Sequence, residues 1–216
     1  MRFKKFAIYA LEFTCSPTYF FADYKKSKHM SNQLKLGALI KKFNTIYLII
    51  ASSIAFLLCL YPPTEIYKNG LGGAFIFLSF FIIWAYPLSR ANEIIYAFCR
   101  DAIEKLNGEP SRSDLKYGER IKLSLKSYIE LIINFASIYM LLPPQYFACK
   151  ITSYSDALYF SGVTITTLGY GDISPTHAIS QFLSIYEVLC GFALIVVSFA
   201  VYTGRGIEFH ASSNED

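Results

Sequence analysis

The sequence predicts an all-α integral membrane protein: four transmembrane helices, with a short segment between the third and fourth that dips in and returns. Three observations predict it. The 216-residue chain is 54% hydrophobic, with a mean hydropathy of +0.36. Only 17% of its residues are charged, against about 25% in a typical soluble domain. Four apolar runs reach or approach the roughly 17–25 residues that cross a bilayer.

The first run is Phe43–Tyr61, FNTIYLIIASSIAFLLCLY, and carries no charge. The second, Leu71–Leu88, is also uncharged. Its pattern continues along Ile95, Phe98, Ala102 and Leu106, so a cytosolic helix is expected to follow, ended by Asn107-Gly108 and Pro110. The third, Ser127–Leu142, is short, carries Glu130 and is expected to extend back towards Ile121. The fourth, Ala178–Thr203, is the longest and carries Glu187. Pro62-Pro63 and Pro143-Pro144 stop the first and third runs, because proline cannot continue a helix. Between the third and fourth lies Pro143–His177, too polar to span and too short for a domain. Irregular backbone at membrane depth survives only inside protein or beside water.

Cations set the direction. Residues 1–42 carry nine Lys or Arg and 89–126 carry eight, while 61–70 and 143–177 carry one each, Lys68 and Lys150. Both termini and the middle loop are therefore expected in the cytoplasm, and the dipping loop enters from outside. The chain is expected in the cell membrane as a multi-pass protein. MRFKK begins the chain with a basic patch, but Glu12 interrupts the apolar run, so no signal peptide is expected. Phe3, Phe6, Ala7, Ala10 and Leu11 fall at helical spacing. That pattern suits an amphipathic helix on the inner leaflet; a disordered tail is the other reading.

Several function classes drop out. The five cysteines stand singly, without a C-x-x-C pair, and the three histidines have no ligand-like spacing. No nucleophile constellation is present, so no enzyme and no organic cofactor are expected. The formal charge of +4 comes from cations flanking apolar runs, which argues for membrane lipids and against nucleic acid as a partner.

The informative stretch is FSGVTITTLGYGDISP, residues 160–175. Ser155 or Asp156 can cap a short helix there, and TTLGYGD then breaks it. Gly169 and Gly171 permit positive φ, so successive carbonyls can face one side. Rings of such carbonyls can replace the hydration shell of a potassium ion, and four chains complete a ring.

Thr167-Leu168-Gly169-Tyr170-Gly171-Asp172 resembles the selectivity filter of tetrameric potassium channels. The wider resemblance covers outer helix, pore helix, filter and inner helix, with Leu168 where the filter motif TVGYG has valine. It implies a pore domain over 127–203, with pore helix 155–166, filter 167–172 and inner helix 178–203. Before it stand a cytosolic segment 1–42, two peripheral helices in 43–88 and a helical linker 89–126; a short tail, 204–216, follows. By resemblance, Thr167, Leu168, Gly169, Tyr170 and Gly171 form the ion-binding segment, and the carbonyls of Thr167 to Tyr170 and the Thr167 hydroxyl hold K+. Thr166 and Asp172 support the filter, and Tyr170 braces it against Tyr159 and Phe160. A homotetramer is implied.

Gly191 lies midway along the inner helix, twenty residues after Gly171. It admits two readings: a gating hinge, or close packing against the pore helix. Family register places Phe192, Ile195, Phe199 and Thr203 along the cavity and gate. Glu130 shares a helix face with Asn134 and is read as structural, whereas Glu187 stays open between a functional and a structural role. No span carries Arg or Lys at every third residue, so weak voltage dependence is expected. Thirteen residues follow Thr203, too few for a regulatory domain, which leaves a separate regulatory protein as a partner. The leading expectation is a passive potassium channel; the alternatives are a non-conducting or regulatory subunit and a transporter subunit.

Overall fold

The structure is a computed structural model and describes residues 16–28, 32–63, 73–109, 112–195 and 201–204. The amphipathic pattern at Phe3–Leu11 and the gate position Phe199 lie outside them.

Helix α1, Pro17–Ser27, was not expected as a separate element. Its signal is local. Ser16 accepts a hydrogen bond from the Tyr19 amide at 3.2 Å, and Pro17 occupies the first turn, where its missing N–H costs nothing. The helix docks on a later one: Ser16 Oγ donates to the Ser89 carbonyl at 2.8 Å, and the Thr18 amide donates to Ser89 Oγ at 3.1 Å.

Helix α2, Gln33–Leu60, starts ten residues before the predicted apolar run, capped by the Asn32 side chain on the Lys35 amide at 3.0 Å. Its 28 residues span about 42 Å at 1.5 Å per residue. That exceeds the roughly 30 Å of a hydrocarbon core, so the basic first turns extend beyond the apolar part. Helix α3, Gly73–Leu106, joins the second run and its cytosolic continuation into one 34-residue element with Pro87 inside. It ends where the sequence predicts. Gly108 adopts φ +73°, and the Glu109 and Gly108 amides return to the Glu104 and Lys105 carbonyls at 2.9 and 3.1 Å.

Helix α4, Tyr117–Leu141, is the centre of the molecule. It packs on α2, α3, the short helix α5 (Tyr154–Ile165) and α6 (Ala178–Phe192). Leu131, Phe135, Ala136, Ile138 and Tyr139 are wholly buried. The two preceding long helices pack on α4, and they also touch α5 and α6, through α2 and through Asn92 of α3. Two helices, Gln33–Leu60 and Ala178–Ile195, are long and apolar enough to cross a membrane among the described residues.

Charged residues fasten the helices to one another. Arg90 of α3 grips Glu130 of α4 through two bonds, Nε–Oε1 at 2.7 Å and Nη2–Oε2 at 3.2 Å. Its Nη1 lies 3.0 Å from Glu93 Oε2, and its guanidinium sits 4.0 Å above the Tyr47 ring of α2. The structural reading of Glu130 thus gains a partner, which sequence spacing had not named. Lower down, Arg120 of α4 reaches both Asp101 oxygens at 2.6 Å, and Tyr202, beyond α6, donates to Asp101 Oδ2 at 2.7 Å.

Candidate functional site

The dipping segment begins with a 3-10 turn, Pro144–Tyr146, and returns beside itself. The Ala148 amide donates to the Ser174 carbonyl at 2.9 Å, and the Thr176 amide to the Tyr146 carbonyl at 2.8 Å. Tyr146 and His177 stack at 3.8 Å between centroids. These contacts bring the start and end of the loop together and present everything between them as one unit.

Helix α5 is capped by Ser153, not by Ser155 or Asp156. Ser153 Oγ accepts from the Asp156 amide at 3.2 Å, while Asp156 Oδ2 accepts from the Ser153 amide at 3.0 Å. This reciprocal pair satisfies two donors at the helix start. The sequence signal is S-x-x-D, which places the carboxylate three residues inside the cap. The helix then ends abruptly: the Thr167 and Leu168 amides turn back to the Thr164 and Val163 carbonyls at 2.9 and 3.0 Å.

From there the backbone alternates. φ is +60° at Thr167, +56° at Gly169 and +80° at Gly171, while Leu168 and Tyr170 between them keep ordinary negative values. Two of these positions are glycine, which tolerates the left-handed region. Thr167 is not, and a β-branched residue there is an outlier that points to function. Alternation of opposite-handed residues turns successive carbonyls towards one side, unlike an ordinary strand. Among the described residues, no hydrogen bond reaches the carbonyls of Thr167, Leu168, Gly169 or Tyr170. Backbone carbonyls in a fold are seldom left bare.

The predicted supports divide. Thr166 Oγ1 donates to the Gly162 carbonyl at 2.5 Å. The Tyr159 hydroxyl lies beside Asp172 and holds its carboxyl below the ordinary range. Phe160 faces elsewhere. It is buried, edge-on to Tyr139 at 4.8 Å and to Phe147 at 5.4 Å. It braces α5 against α4, because position 160 falls on the helix face turned into the chain's own core. Leu168 and Tyr170 are 60% and 67% exposed.

Glu187 ties three helices together. Its carboxyl lies 2.5 Å from Ser161 Oγ of α5 and accepts from Tyr139 of α4 at 2.6 Å. Ser161 has one hydroxyl proton, and the Ile132 carbonyl also lies 2.9 Å from its oxygen. A glutamine at 187 can accept from Tyr139 and donate to Ser161, freeing that proton for Ile132. Glu187→Gln should therefore leave thermal stability within about 1 kcal/mol. Glu187→Leu strands the buried Tyr139 hydroxyl at roughly 1–3 kcal/mol, while Ser161 turns to the Ile132 carbonyl. Parallel melting curves check the pair, and equal losses would contradict this arrangement.

Gly191 sits where α6 meets the end of α5. An added Cβ would lie 2.5 Å from Ile165 Cγ1 and 3.3 Å from the Ile165 carbonyl. Close packing therefore requires this glycine. The helix changes character just after it, with residues 193–195 in π conformation, a feature common at bends and functional sites. Gly191→Ala is expected to destabilise by about 1–3 kcal/mol through overpacking. Ile165→Ala should recover part of that loss in the double variant, as denaturation of each would show. Phe192 is exposed and Ile195 and Thr203 are half-buried. Phe182, Ile185, Leu189 and Phe192 make one apolar stripe on α6, each 60–67% exposed.

Comparison with known proteins fits this geometry. Residues 127–206 match the family model described as "Ion channel". The chain is 30% identical to Protein LctB of Bacillus caldotenax over 32% of this chain and 60% of that protein. It is 50% identical to Two-pore potassium channel 2 of Arabidopsis thaliana over 18% of this chain and 9% of that one. To Two-pore potassium channel 3 of the same plant it is 41% identical, over 27% and 13%. The chain thus spans less than two thirds of each relative. No solved structure matches it. Over residues 127–206 the chain is thus similar to the ion channel family, and two of its relatives are potassium channels.

Proposed function

We propose that four copies of this chain form a potassium-selective channel that passes K+ passively through a ring of backbone carbonyls. The observation that carries this reading is the alternation of φ at Thr167, Gly169 and Gly171, with four carbonyls that accept no hydrogen bond among the described residues. In the tetramer, the carbonyls of Thr167, Leu168, Gly169 and Tyr170 replace the water around the ion. The exposed stripe at Phe182, Ile185, Leu189 and Phe192 supplies apolar surface for a neighbouring copy or the cavity. Four spans, cytoplasmic termini and weak voltage dependence belong to the same reading. Gly191 and the π turn after it give the inner helix its bend, and the inner constriction is assigned to Phe199 or Thr203.

The test is direct. Purified chain in vesicles should release potassium and rubidium readily and sodium or lithium far more slowly, and its mass in detergent should correspond to four chains. A well-folded monomer or dimer without flux would contradict the reading.

The mouth gives a pH prediction. The Tyr159 hydroxyl lowers the Asp172 carboxyl. A lowered carboxyl keeps its contact above its own pKa and loses it only as pH falls through that value. Flux should thus be flat around neutrality and fall only below the ordinary carboxylate range. Tyr159→Phe should move that acid limb to higher pH. A pH series of flux on both proteins reads the shift; an unmoved limb would dissociate the two residues.

A further inference from the structure

Beyond the pore segment lies a cavity of about 200 Å³, enclosed by α1, α2, the lower half of α3 and the start of α4. Part of its wall is apolar: Ile40, Phe43, Ile94, Phe98 and Leu123. The rest carries charge that its neighbours only partly satisfy. Arg100 Nε and Arg112 Nη2 both lean on one oxygen, Glu104 Oε1, at 3.1 and 2.7 Å. Two guanidiniums therefore share one carboxylate; Arg100 Nη1 also donates to the Tyr19 hydroxyl at 2.9 Å, and further donors remain among the described residues. Both are part-exposed, at 36% and 47% of the side chain.

Lys26 also lines the cavity and makes no ion pair among the described residues. Burial there pushes its ammonium below the ordinary lysine range. Five cations, Lys26, Arg90, Arg100, Arg112 and Arg120, line the cavity against four acids, which leaves one positive charge in excess. Glu93 is held by Arg90 at 3.0 Å and Asp101 by Arg120 at 2.6 Å, while Asp23, exposed on α1, also lines the cavity and attracts Lys26. Asn44 lines the same space. Its amide donates to Ser127 Oγ at 2.8 Å, and its buried Oδ1 has no partner among the described residues.

We infer that this cavity binds a small amphipathic anion, with a phosphate or carboxylate head on Lys26, Arg100 and Arg112 and an apolar body against Phe43, Ile94 and Phe98. Arginine forks suit such heads, because they donate two parallel bonds. The volume lies below the roughly 300–1,000 Å³ of drug-sized pockets, so it holds a head and the first part of a chain. An anionic lipid and a free amphiphile share this chemistry. Tyr202 forms part of the lining and binds Asp101 at 2.7 Å. An occupant therefore lies against Tyr202, beyond α6. The inference does not depend on conduction.

Binding tests it on the full chain in phosphatidylcholine bilayers. The first probe is octyl phosphate in solution; the second is phosphatidylglycerol mixed into the bilayer. Retention by native mass spectrometry and the rise in melting temperature are read for each. The variants are Lys26→Ala with Arg112→Ala, and Ala97→Phe, which fills the cavity without changing charge. Lys42→Ala, an exposed cation on α2 outside the lining, is the control. Octyl phosphate should bind saturably and weaken at least tenfold in both cavity variants, with Lys42→Ala unchanged. Loss of phosphatidylglycerol retention in the same variants identifies a lipid head as occupant. Loss of octyl phosphate alone identifies a free amphiphile. Lys26→Arg should restore binding, which separates the site from a folding defect. Binding that survives Ala97→Phe, or weakens equally in Lys42→Ala, would overturn the site.

Discussion

Replacing Arg90 by leucine should cost about 3–5 kcal/mol, the range for removing one partner of a buried ion pair. Arg90 is 4% exposed, Glu93 3% and Glu130 0%, so the carboxylates left behind have no water to turn to. The bidentate grip on Glu130 and the contact with Glu93 vanish together. Arg90 also lies over Tyr47, so α2, α3 and α4 all lose a shared contact. Replacing Glu130 as well, by leucine, should recover much of the loss, because burying no charge is cheaper than burying an unpaired one. Thermal denaturation of the two variants against the parent measures the difference. A loss under about 1 kcal/mol in Arg90→Leu would mean that water or lipid headgroups already satisfy these acids.

The second large effect is expected at Gly169. Its φ of +56° lies in the left-handed region, yet a Cβ there would meet nothing within 4 Å. Space does not forbid alanine; backbone conformation does. A left-handed L-residue costs roughly 1–2 kcal/mol, and the four copies of the proposed tetramer would multiply this to about 4–8 kcal/mol. The segment would relax to negative φ and turn a carbonyl away from the path. Gly169→Ala should thus reduce potassium flux at least a hundredfold with little change in folding. D-alanine at 169, introduced by semisynthesis, should restore much of the flux, since its mirror-image preference favours positive φ. Gly162→Ala, in the body of α5 with equal open space, should leave flux near the parent. Equal flux in L- and D-alanine proteins would detach the backbone hand from conduction.

The sequence showed the parts of the fold that rest on periodicity and punctuation. The end of α3 at Asn107-Gly108 follows from glycine at a left-handed cap, and the break after α5 follows from TTLGYGD. Boundaries moved where polar residues continue a helix. α2 begins at Gln33 because Asn32 caps it, although hydropathy rises only near Phe43. α1 was missed because its apolar face is weak, yet Ser16-Pro17 carried a readable start. Long-range partners were not legible. Nothing in the spacing says that Glu130 meets Arg90, forty residues away, or that Glu187 reaches both Ser161 and Tyr139. The glycines foretold positive φ at 169 and 171, but the same conformation at Thr167 is imposed by its surroundings. Phe160 could not be placed from sequence, because the face of α5 that meets the core depends on how α4 lies beside it.

The measurement that bears most directly on the carbonyl-lined path is the reversal potential of the purified chain in a planar bilayer, with potassium on one side and sodium on the other. The expected value lies close to the potassium equilibrium potential. A reversal near zero with current flowing would contradict it, and would mean that the bare carbonyls of Thr167 to Tyr170 do not select the ion.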